Sequence, residues 1–165
     1  MAKTVVGVMG PGEGATRDEV SAARELGALV AAEGWVLLTG GRASGVMEAA
    51  SRGAREAGGL TVGVLPGEDE GQASEFVDLA IVTGMGQARN NVNVLSSRVV
   101  VACGMGAGTA AEVALALKAG KPIVLLKAGS EAEAFFKSLG GGRVSVAATP
   151  AEAVGEVKRL LGPHF

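Results

Sequence analysis

Apolar residues along this chain fall into two alternating patterns, which predict strands and helices in turn. Short continuous runs rich in valine and leucine are typical of buried strands, and longer stretches with apolar residues at helical spacing predict helices. The predicted strands cover residues 4–9, 35–38, 60–65, 79–82, 99–103, 122–126 and 144–146. The predicted helices cover residues 17–33, 45–57, 87–97, 109–119 and 149–161.

This order of strands and helices predicts the fold class. Strands that are apolar on both faces belong in a sheet with helices on both sides, and strand–helix–strand units join parallel strands. We therefore expect an α/β protein: a single doubly wound, Rossmann-like domain over residues 1–165, with a mainly parallel sheet and helices on both faces. No linker or second domain is visible in the sequence.

Helix starts are marked by Ser/Thr-x-x-Glu patterns. These match the capping box, in which the two side chains bond each other's backbone N–H. The pairs are Thr16 with Glu19, Thr109 with Glu112, Ser130 with Glu133, and Thr149 with Glu152, where Pro150 takes the first helical position. Because the pattern recurs, a helix cap alone accounts for Glu112.

One of these helix starts follows a strand through a glycine-rich turn. Gly104, Gly106 and Gly108 lie between the apolar run 99–103 and the next helical pattern. Glycines let a backbone approach a ligand closely, and the first free N–H groups of a helix, together with its dipole, attract an anion. The turn predicts a phosphate site, where Glu112 caps the helix, contacts a sugar hydroxyl or takes part in chemistry.

Polar or glycine-rich loops also follow the first, second and fourth predicted strands. In open α/β sheets the ligand binds beyond the carboxyl ends of the strands, so these loops are expected to meet. Arginine forks and backbone amides suit phosphate oxygens, which predicts a nucleotide or another phosphorylated small molecule as ligand. The candidate binding residues are Gly10, Thr39, Gly40, Gly41, Arg42, Ser44, Arg89, Asn90, Gly104, Met105, Gly106, Ala107, Gly108 and Thr109, with Asn93 as a further donor.

Three of these assignments have a plainer alternative. Arg42 also suits a solvated position in a loop. Gly40 and Gly41 also suit an ordinary tight turn between a strand and a helix. Arg89 also suits a surface ion pair, although a cation in the first turn of a helix opposes the helix dipole unless an anion lies nearby.

Composition excludes several functions. The net charge of −2, with scattered Lys and Arg, argues against a nucleic-acid partner. No apolar run approaches the roughly 18 residues of a membrane span, so we expect a cytoplasmic protein without membrane contact. The one cysteine, Cys103, cannot form an internal disulfide, and the one histidine, His164, argues against a metal site.

Five segments together resemble the Lonely Guy superfamily, long mislabelled as lysine decarboxylases. They are 39–41, 45–47, 63–66, 88–90 and 106–112, and the resemblance covers roughly residues 5–126. The signature of that superfamily is Pro-Gly-Gly-x-Gly-Thr-x-x-Glu, preceded by an Arg-Lys pair. The resemblance implies a Rossmann-like dimer that cleaves the N-glycosidic bond of nucleoside 5′-monophosphates. Arg89 and Glu112 match its arginine and glutamate and are the candidate catalytic residues.

Three positions depart from that signature. Gly104 replaces the proline, Met105 the first glycine and Asn90 the lysine. With the segment 86–94, these departures look more like the branch that contains molybdenum cofactor carrier proteins. Members of that branch are small homo-oligomers, and the resemblance implies binding of a pterin that carries a phosphate rather than turnover.

We therefore expect a binding protein for molybdopterin or a nucleotide, assembled as a homodimer or homotetramer, with Glu112 as a helix cap. The alternative is a nucleoside 5′-monophosphate phosphoribohydrolase, in which Arg89 fixes the phosphate and Glu112 stabilises the sugar cation or activates water. Met105 argues against the enzyme, because it puts a bulky side chain where the family presents bare backbone. The apolar residues 113–117 suit either a subunit interface or a helix buried on two sides.

Overall fold

The computed structural model describes residues 2–163, which form one seven-stranded parallel sheet with helices on both faces. The strands are β1 (Val5–Met9), β2 (Val36–Thr39), β3 (Thr61–Leu65), β4 (Leu79–Val82), β5 (Val99–Cys103), β6 (Ile123–Leu126) and β7 (Val144–Ala147). The helices are α1 (Arg17–Ala32), α2 (Gly45–Glu56), α3 (Arg89–Ser96), α4 (Ala107–Lys118), α5 (Ser130–Gly140) and α6 (Pro150–Leu161). The predicted fold class is confirmed; His164 lies outside the described residues.

The strand order in the sheet is β4-β3-β2-β1-β5-β6-β7, and every neighbouring pair is parallel. The chain builds one half of the sheet outward from β1 to β4, then returns to place β5 on the other side of β1. Strands β1 and β5 are therefore adjacent, and the loops that follow them lead to helices on opposite faces of the sheet. This is the point at which open α/β sheets form a ligand crevice.

Two apolar cores lie on opposite faces of the sheet. Helices α1, α2 and α6 cover one core, and α3, α4 and α5 cover the other. Successive residues of β5 alternate between the cores: Val99, Val101 and Cys103 face the first, while Val100 and Ala102 face the second. Because β5 is completely buried on both faces, it anchors the turn that follows it.

Two of the four predicted helix caps are present as expected. Thr16 Oγ1 accepts from the Glu19 backbone N–H at 3.2 Å, while Glu19 Oε2 accepts from Thr16 N at 2.8 Å. Thr149 likewise accepts from the backbone N–H of Glu152, ahead of Pro150 at the helix start. Glu152 differs in one detail, because its carboxylate accepts from the N–H of Ala148 rather than from the cap residue.

The other two predicted caps are wrong. Ser130 is the first residue of α5, whose cap position is held by Gly129 at a φ of 88°. Helix α4 begins at Ala107, with Gly106 as its cap residue, so Thr109 already lies inside the helix. In both cases a glycine in a non-helical conformation starts the helix earlier than the side-chain pattern indicates.

Cys103 is buried at the end of β5, and burial raises the pKa of its thiol to about 12. Within residues 2–163, no helix is long and apolar enough to cross a membrane. The same residues contain no group of three His, Cys, Asp or Glu side chains arranged to hold a metal ion.

Candidate functional site

A cavity of about 720 Å³ opens at the carboxyl ends of the central strands. Its walls come from the loops after β1 and β2, the segment that enters α3, and the first two turns of α4. The structure brings together there most of the predicted site residues: Gly10, Gly40, Arg42, Arg89, Asn90, Gly106, Ala107, Gly108, Thr109 and Glu112. A depression of similar volume between α1 and α2 has exposed charges such as Arg24 and Glu56, which pair with each other.

The floor of the cavity is the N-terminus of α4. Gly106 is extended, with φ −148° and ψ 177°, and no side chain caps this end of the helix. The first intrahelical bond runs from Ala110 N–H to the Gly106 carbonyl at 2.8 Å, so the N–H groups of residues 107–109 precede the helical hydrogen-bond ladder. These amides and the helix dipole give the floor a partial positive charge.

Two residues of the predicted phosphate turn shape it without lining the cavity. Gly104 adopts a φ of +80°, and its N–H donates to the Leu126 carbonyl at 2.8 Å. A Cβ at that position would lie 2.7 Å from the Glu19 carboxyl group, so the turn requires glycine. Met105 is partly buried against the second core. Met105, a candidate binding residue whose bulk was expected to argue against the enzyme, is thus not among the residues that line the cavity.

Arg89 is a buried residue that lines the cavity. Only 9% of its surface is exposed, so the surface ion pair considered for it is wrong. Its Nη1 donates to Asn90 Oδ1 and lies 3.8 Å from Oε1 of Glu112. Its Nε has no hydrogen-bond partner among residues 2–163. A guanidinium with unused donors beside a cavity is suited to bind an anion.

Gly40 makes room for that guanidinium. A Cβ at residue 40 would lie 2.7 Å from Nη2 of Arg89 and 2.8 Å from Sδ of Met47. Gly41, with a φ of +77°, makes the turn itself, and its N–H donates to Oγ1 of Thr39 at 3.0 Å. The ligand-site interpretation therefore holds for Gly40, which lines the cavity, and the tight-turn interpretation holds for Gly41.

Thr39 and Ser44 support this loop from outside the cavity lining. Thr39 is fully buried, where it orients the turn through the bond to Gly41. Ser44 is the cap residue of α2 but makes no side-chain cap bond. The N–H of Val46, in the first turn of α2, donates instead to the carbonyl of Pro11 at 3.0 Å, which ties the loop after β1 to this helix.

Glu112 is the second buried charge of the site, with 7% of its surface exposed. Its Oε1 accepts from Nδ2 of Asn93, a fully buried residue of α3, at 3.2 Å. The carboxylate therefore faces α3 and the cavity, and the helix-cap interpretation of Glu112 is wrong. The cap pattern is local in sequence, whereas the position of this side chain is set by packing between two helices.

Burial shifts the pKa of both charged groups in the direction that favours the uncharged form of each. Desolvation raises the pKa of Glu112, against the opposing effects of the Asn93 hydrogen bond and the Arg89 charge. Desolvation also lowers the pKa of Arg89, opposed by Glu112 and assisted by the repulsion of Arg42. At 3.8 Å the pair is longer than a hydrogen bond, so neither charge is fully compensated by the other.

Other lining residues were missed by the sequence analysis. The apolar ones are Met9, Pro11, Met47 and Pro66, and the others include Gly12, Glu13, Gly86 and Gln87. Gln87 could have been found from the glycine-rich loop after the fourth strand, which was already a candidate segment. Met47 and Pro66 lie in segments 45–47 and 63–66 of the family resemblance, but their place in the cavity depends on how α2 and β3 pack.

Comparisons with known proteins identify close relatives. The model of the SLOG cluster4 family matches residues 3–154. An uncharacterized protein of Archaeoglobus fulgidus is 43% identical over 122 residues, which are 74% of this chain and 79% of that protein. The solved molybdenum cofactor binding protein of Rippkaea orientalis is 52% identical with a TM-score of 0.96, over 98% of this chain and 99% of that one. The molybdenum cofactor carrier protein of Chlamydomonas reinhardtii is 58% identical with a TM-score of 0.93, over 97% and 99%.

Proposed function

The chain belongs to the SLOG cluster4 family, and on that premise we propose that it binds the molybdenum cofactor, a phosphorylated pterin, as a carrier. The family match and the carrier-type structures confirm the resemblance to the Lonely Guy superfamily and to its molybdenum cofactor carrier branch. The proposal is supported by proteins 52–58% identical that are described as binding or carrying this cofactor.

The observation that carries the proposal is the buried Arg89 guanidinium beside the uncapped start of α4. A phosphate on the N–H groups of residues 107–109 would lie within reach of a second positive group, the Arg89 guanidinium that lines the same cavity. Arg42 lines the same cavity and adds positive charge. The negative charge of one phosphate monoester would be balanced by Arg89, Arg42 and the amides at the start of α4.

The remaining walls suit a flat ring system. Pro11, Met47 and Pro66 supply apolar surface, and Asn90 and Gln87 supply amide groups that can bond ring N–H and carbonyl groups. A volume of about 720 Å³ lies within the usual range for small-molecule sites, about 300–1,000 Å³. The residues present therefore fit a phosphorylated pterin held without a covalent bond.

The departures from the hydrolase signature also favour binding. The φ of +80° at Gly104 is closed to proline, so this turn does not have the backbone that the signature proline requires. Asn90, where the signature has lysine, accepts a hydrogen bond from Arg89 and leaves the cavity with one cation fewer. Cleavage of a nucleoside monophosphate remains the rival activity, with Arg89 and Glu112 as its catalytic pair.

Two measurements on the purified protein separate these functions. Native mass spectrometry after incubation with molybdopterin is expected to show one ligand per chain, and complete absence of binding would contradict the carrier proposal. Incubation with AMP, followed by chromatography for free adenine, is expected to give no more base than the Glu112→Gln variant. Release of adenine above that control would favour the hydrolase.

We also propose that the protein is a cytoplasmic homodimer or homotetramer. Within the segment 113–117, Val113, Ala116 and Leu117 are buried in the chain's own core, whereas Ala114 is exposed. Exposed apolar side chains elsewhere, Ile81 in β4 and Phe135 in α5 among them, offer alternative surfaces. Light scattering coupled to size exclusion tests the assembly, and cell fractionation tests the location.

A further inference from the structure

Arg89 has two possible anionic partners inside the cavity: the Glu112 carboxylate and the phosphate of the proposed ligand. Glu112 Oε1 is 3.8 Å from Nη1, and among residues 2–163 no other cation lies within ion-pair distance of this carboxylate. An anion that binds this guanidinium competes with Glu112 for it, since Nη1 already donates to Asn90 Oδ1 and a Cβ on Gly40 would lie only 2.7 Å from Nη2.

We propose that Glu112 is the resident counterion of Arg89, and that an incoming phosphate displaces it while Glu112 takes up one proton from water. In this role Glu112 is a positioning residue that acts through Arg89. The inference rests on the proposed function, since it assumes that the anion binds at the start of α4 and at Arg89. Binding of the anion is then coupled to uptake of one proton by Glu112.

The spacing along α4 makes the two anions competitors. Side chains on a helix lean toward its N-terminus, so the Glu112 carboxylate approaches the first-turn amides to within about one helical pitch, ~5 Å. Two negative charges at that distance, one of them on the almost completely buried Glu112, repel each other more strongly than they would in bulk water. Once Arg89 engages the phosphate, the carboxylate no longer has to itself the one cation within ion-pair distance among residues 2–163, which favours its neutral form.

The residues around Glu112 can accommodate the neutral carboxyl group. Asn93 Nδ2 donates to Oε1, while Oδ1 of the same side chain is buried without a partner among the described residues. Rotation of this amide by half a turn would present Oδ1 as the acceptor for a carboxyl proton. The unpaired oxygen therefore has a use in the state with bound anion.

The other charged groups near the cavity do not replace Glu112 in this exchange. Arg42, on the loop after β2, lines the cavity and repels Arg89, which favours engagement of an anion by both. Glu13, on the loop after β1, is exposed at the rim and stays in contact with water. Burial already raises the pKa of Glu112, so the carboxyl group at residue 112 is the one poised to change charge.

The consequence is a ligand affinity that falls as the pH rises. Binding favours the protonated form of Glu112, so affinity falls by up to about tenfold per pH unit between the pKa of the empty site and the higher pKa of the complex. Deprotonation of Glu112 then returns the carboxylate to Arg89 and promotes release of the ligand. A carrier gains from such exchange, because it must give up what it holds.

Calorimetric titration with sulfate tests this exchange. Sulfate remains doubly charged through the neutral and mildly acidic range, so any pH dependence belongs to the protein. In two buffers of different ionisation enthalpy, the wild-type protein is expected to show an apparent binding enthalpy that differs with the buffer, and an affinity that falls with rising pH. Glu112→Gln is expected to bind sulfate at least as tightly, without either dependence. Glu25→Gln, an exposed change on α1, is expected to behave as wild type.

Each outcome decides a separate point. Wild-type binding of sulfate with no proton uptake and no pH dependence would overturn the exchange and leave the anion site in place. No sulfate binding at any pH would instead contradict the anion site of the proposed function, and the exchange with it. If Glu112→Gln does not fold, as judged by circular dichroism, the two-buffer comparison on wild-type protein decides alone.

Discussion

Arg89 on α3 and Glu112 on α4 place opposite charges 3.8 Å apart inside one cavity, and both side chains are almost completely buried. The pair lies beside the uncapped N-terminus of α4, where an anion would meet backbone amides and a guanidinium together. In the proposed exchange the carboxylate acts on ligand binding through the arginine.

Gly40→Ala is predicted to weaken anion binding without unfolding the protein. The new Cβ would lie 2.7 Å from Arg89 Nη2 and 2.8 Å from Met47 Sδ, and both atoms end flexible side chains that can move. Displacement of one charge-assisted hydrogen bond is expected to reduce sulfate affinity by about tenfold. Calorimetry measures it, with Gly14→Ala as the matched control because nothing lies within 4 Å of its Cβ. Unchanged affinity in folded Gly40→Ala would argue against Arg89 as an anion ligand.

Gly104→Pro, which restores the residue of the hydrolase signature, is predicted to destabilise the fold. Proline cannot adopt the φ of +80° found here, and it removes the N–H that donates to Leu126. The expected cost is about 3 kcal/mol or more in urea unfolding. Gly155→Ala, on the exposed face of α6 with free space around it, should stabilise the protein by about 0.5–1 kcal/mol. A stable Gly104→Pro protein would mean that the turn can take the signature backbone after all.

Local sequence patterns predicted part of the fold and of the candidate site, but not the contacts between distant segments. The order strand, glycine turn and helix is encoded locally, so the strands of the sheet and a helix that starts beside Gly106 were predictable. The place of β1 beside β5 was not, because parallel pairing of distant strands leaves no local pattern. Glu112 was misjudged for the same reason: its partners Arg89 and Asn93 reach it from another helix.

Cys103 is predicted to be unreactive while the protein is folded. Burial raises the pKa of its thiol to about 12, so at pH 8 only about one molecule in ten thousand carries the reactive thiolate. Iodoacetamide labelling followed by mass spectrometry should show slow modification in buffer and rapid modification in urea. Fast modification of the folded protein would contradict the buried position of this side chain.

The stability difference between wild type and Glu112→Gln is predicted to depend on pH. Burial raises the pKa of Glu112 in the folded state, so the folded protein binds more protons there than the unfolded chain. The contribution of Glu112 is therefore most favourable below the ordinary glutamate pKa and is lost as the pH rises through the raised one. Urea unfolding across mildly acidic to neutral pH should show wild type losing stability relative to Glu112→Gln. A difference that grows with pH in favour of wild type would reverse the sign and contradict a raised pKa.

The most direct test of the binding account compares molybdopterin retention by wild type, Arg89→Gln and Arg17→Gln in native mass spectrometry. Arg17 is an exposed cation at the start of α1, outside the proposed site. Wild type and Arg17→Gln are expected to hold one ligand per chain with equal affinity. Arg89→Gln is expected to lose about 10- to 100-fold, the worth of one charge-assisted hydrogen bond to phosphate. Equal retention by folded Arg89→Gln would contradict the account.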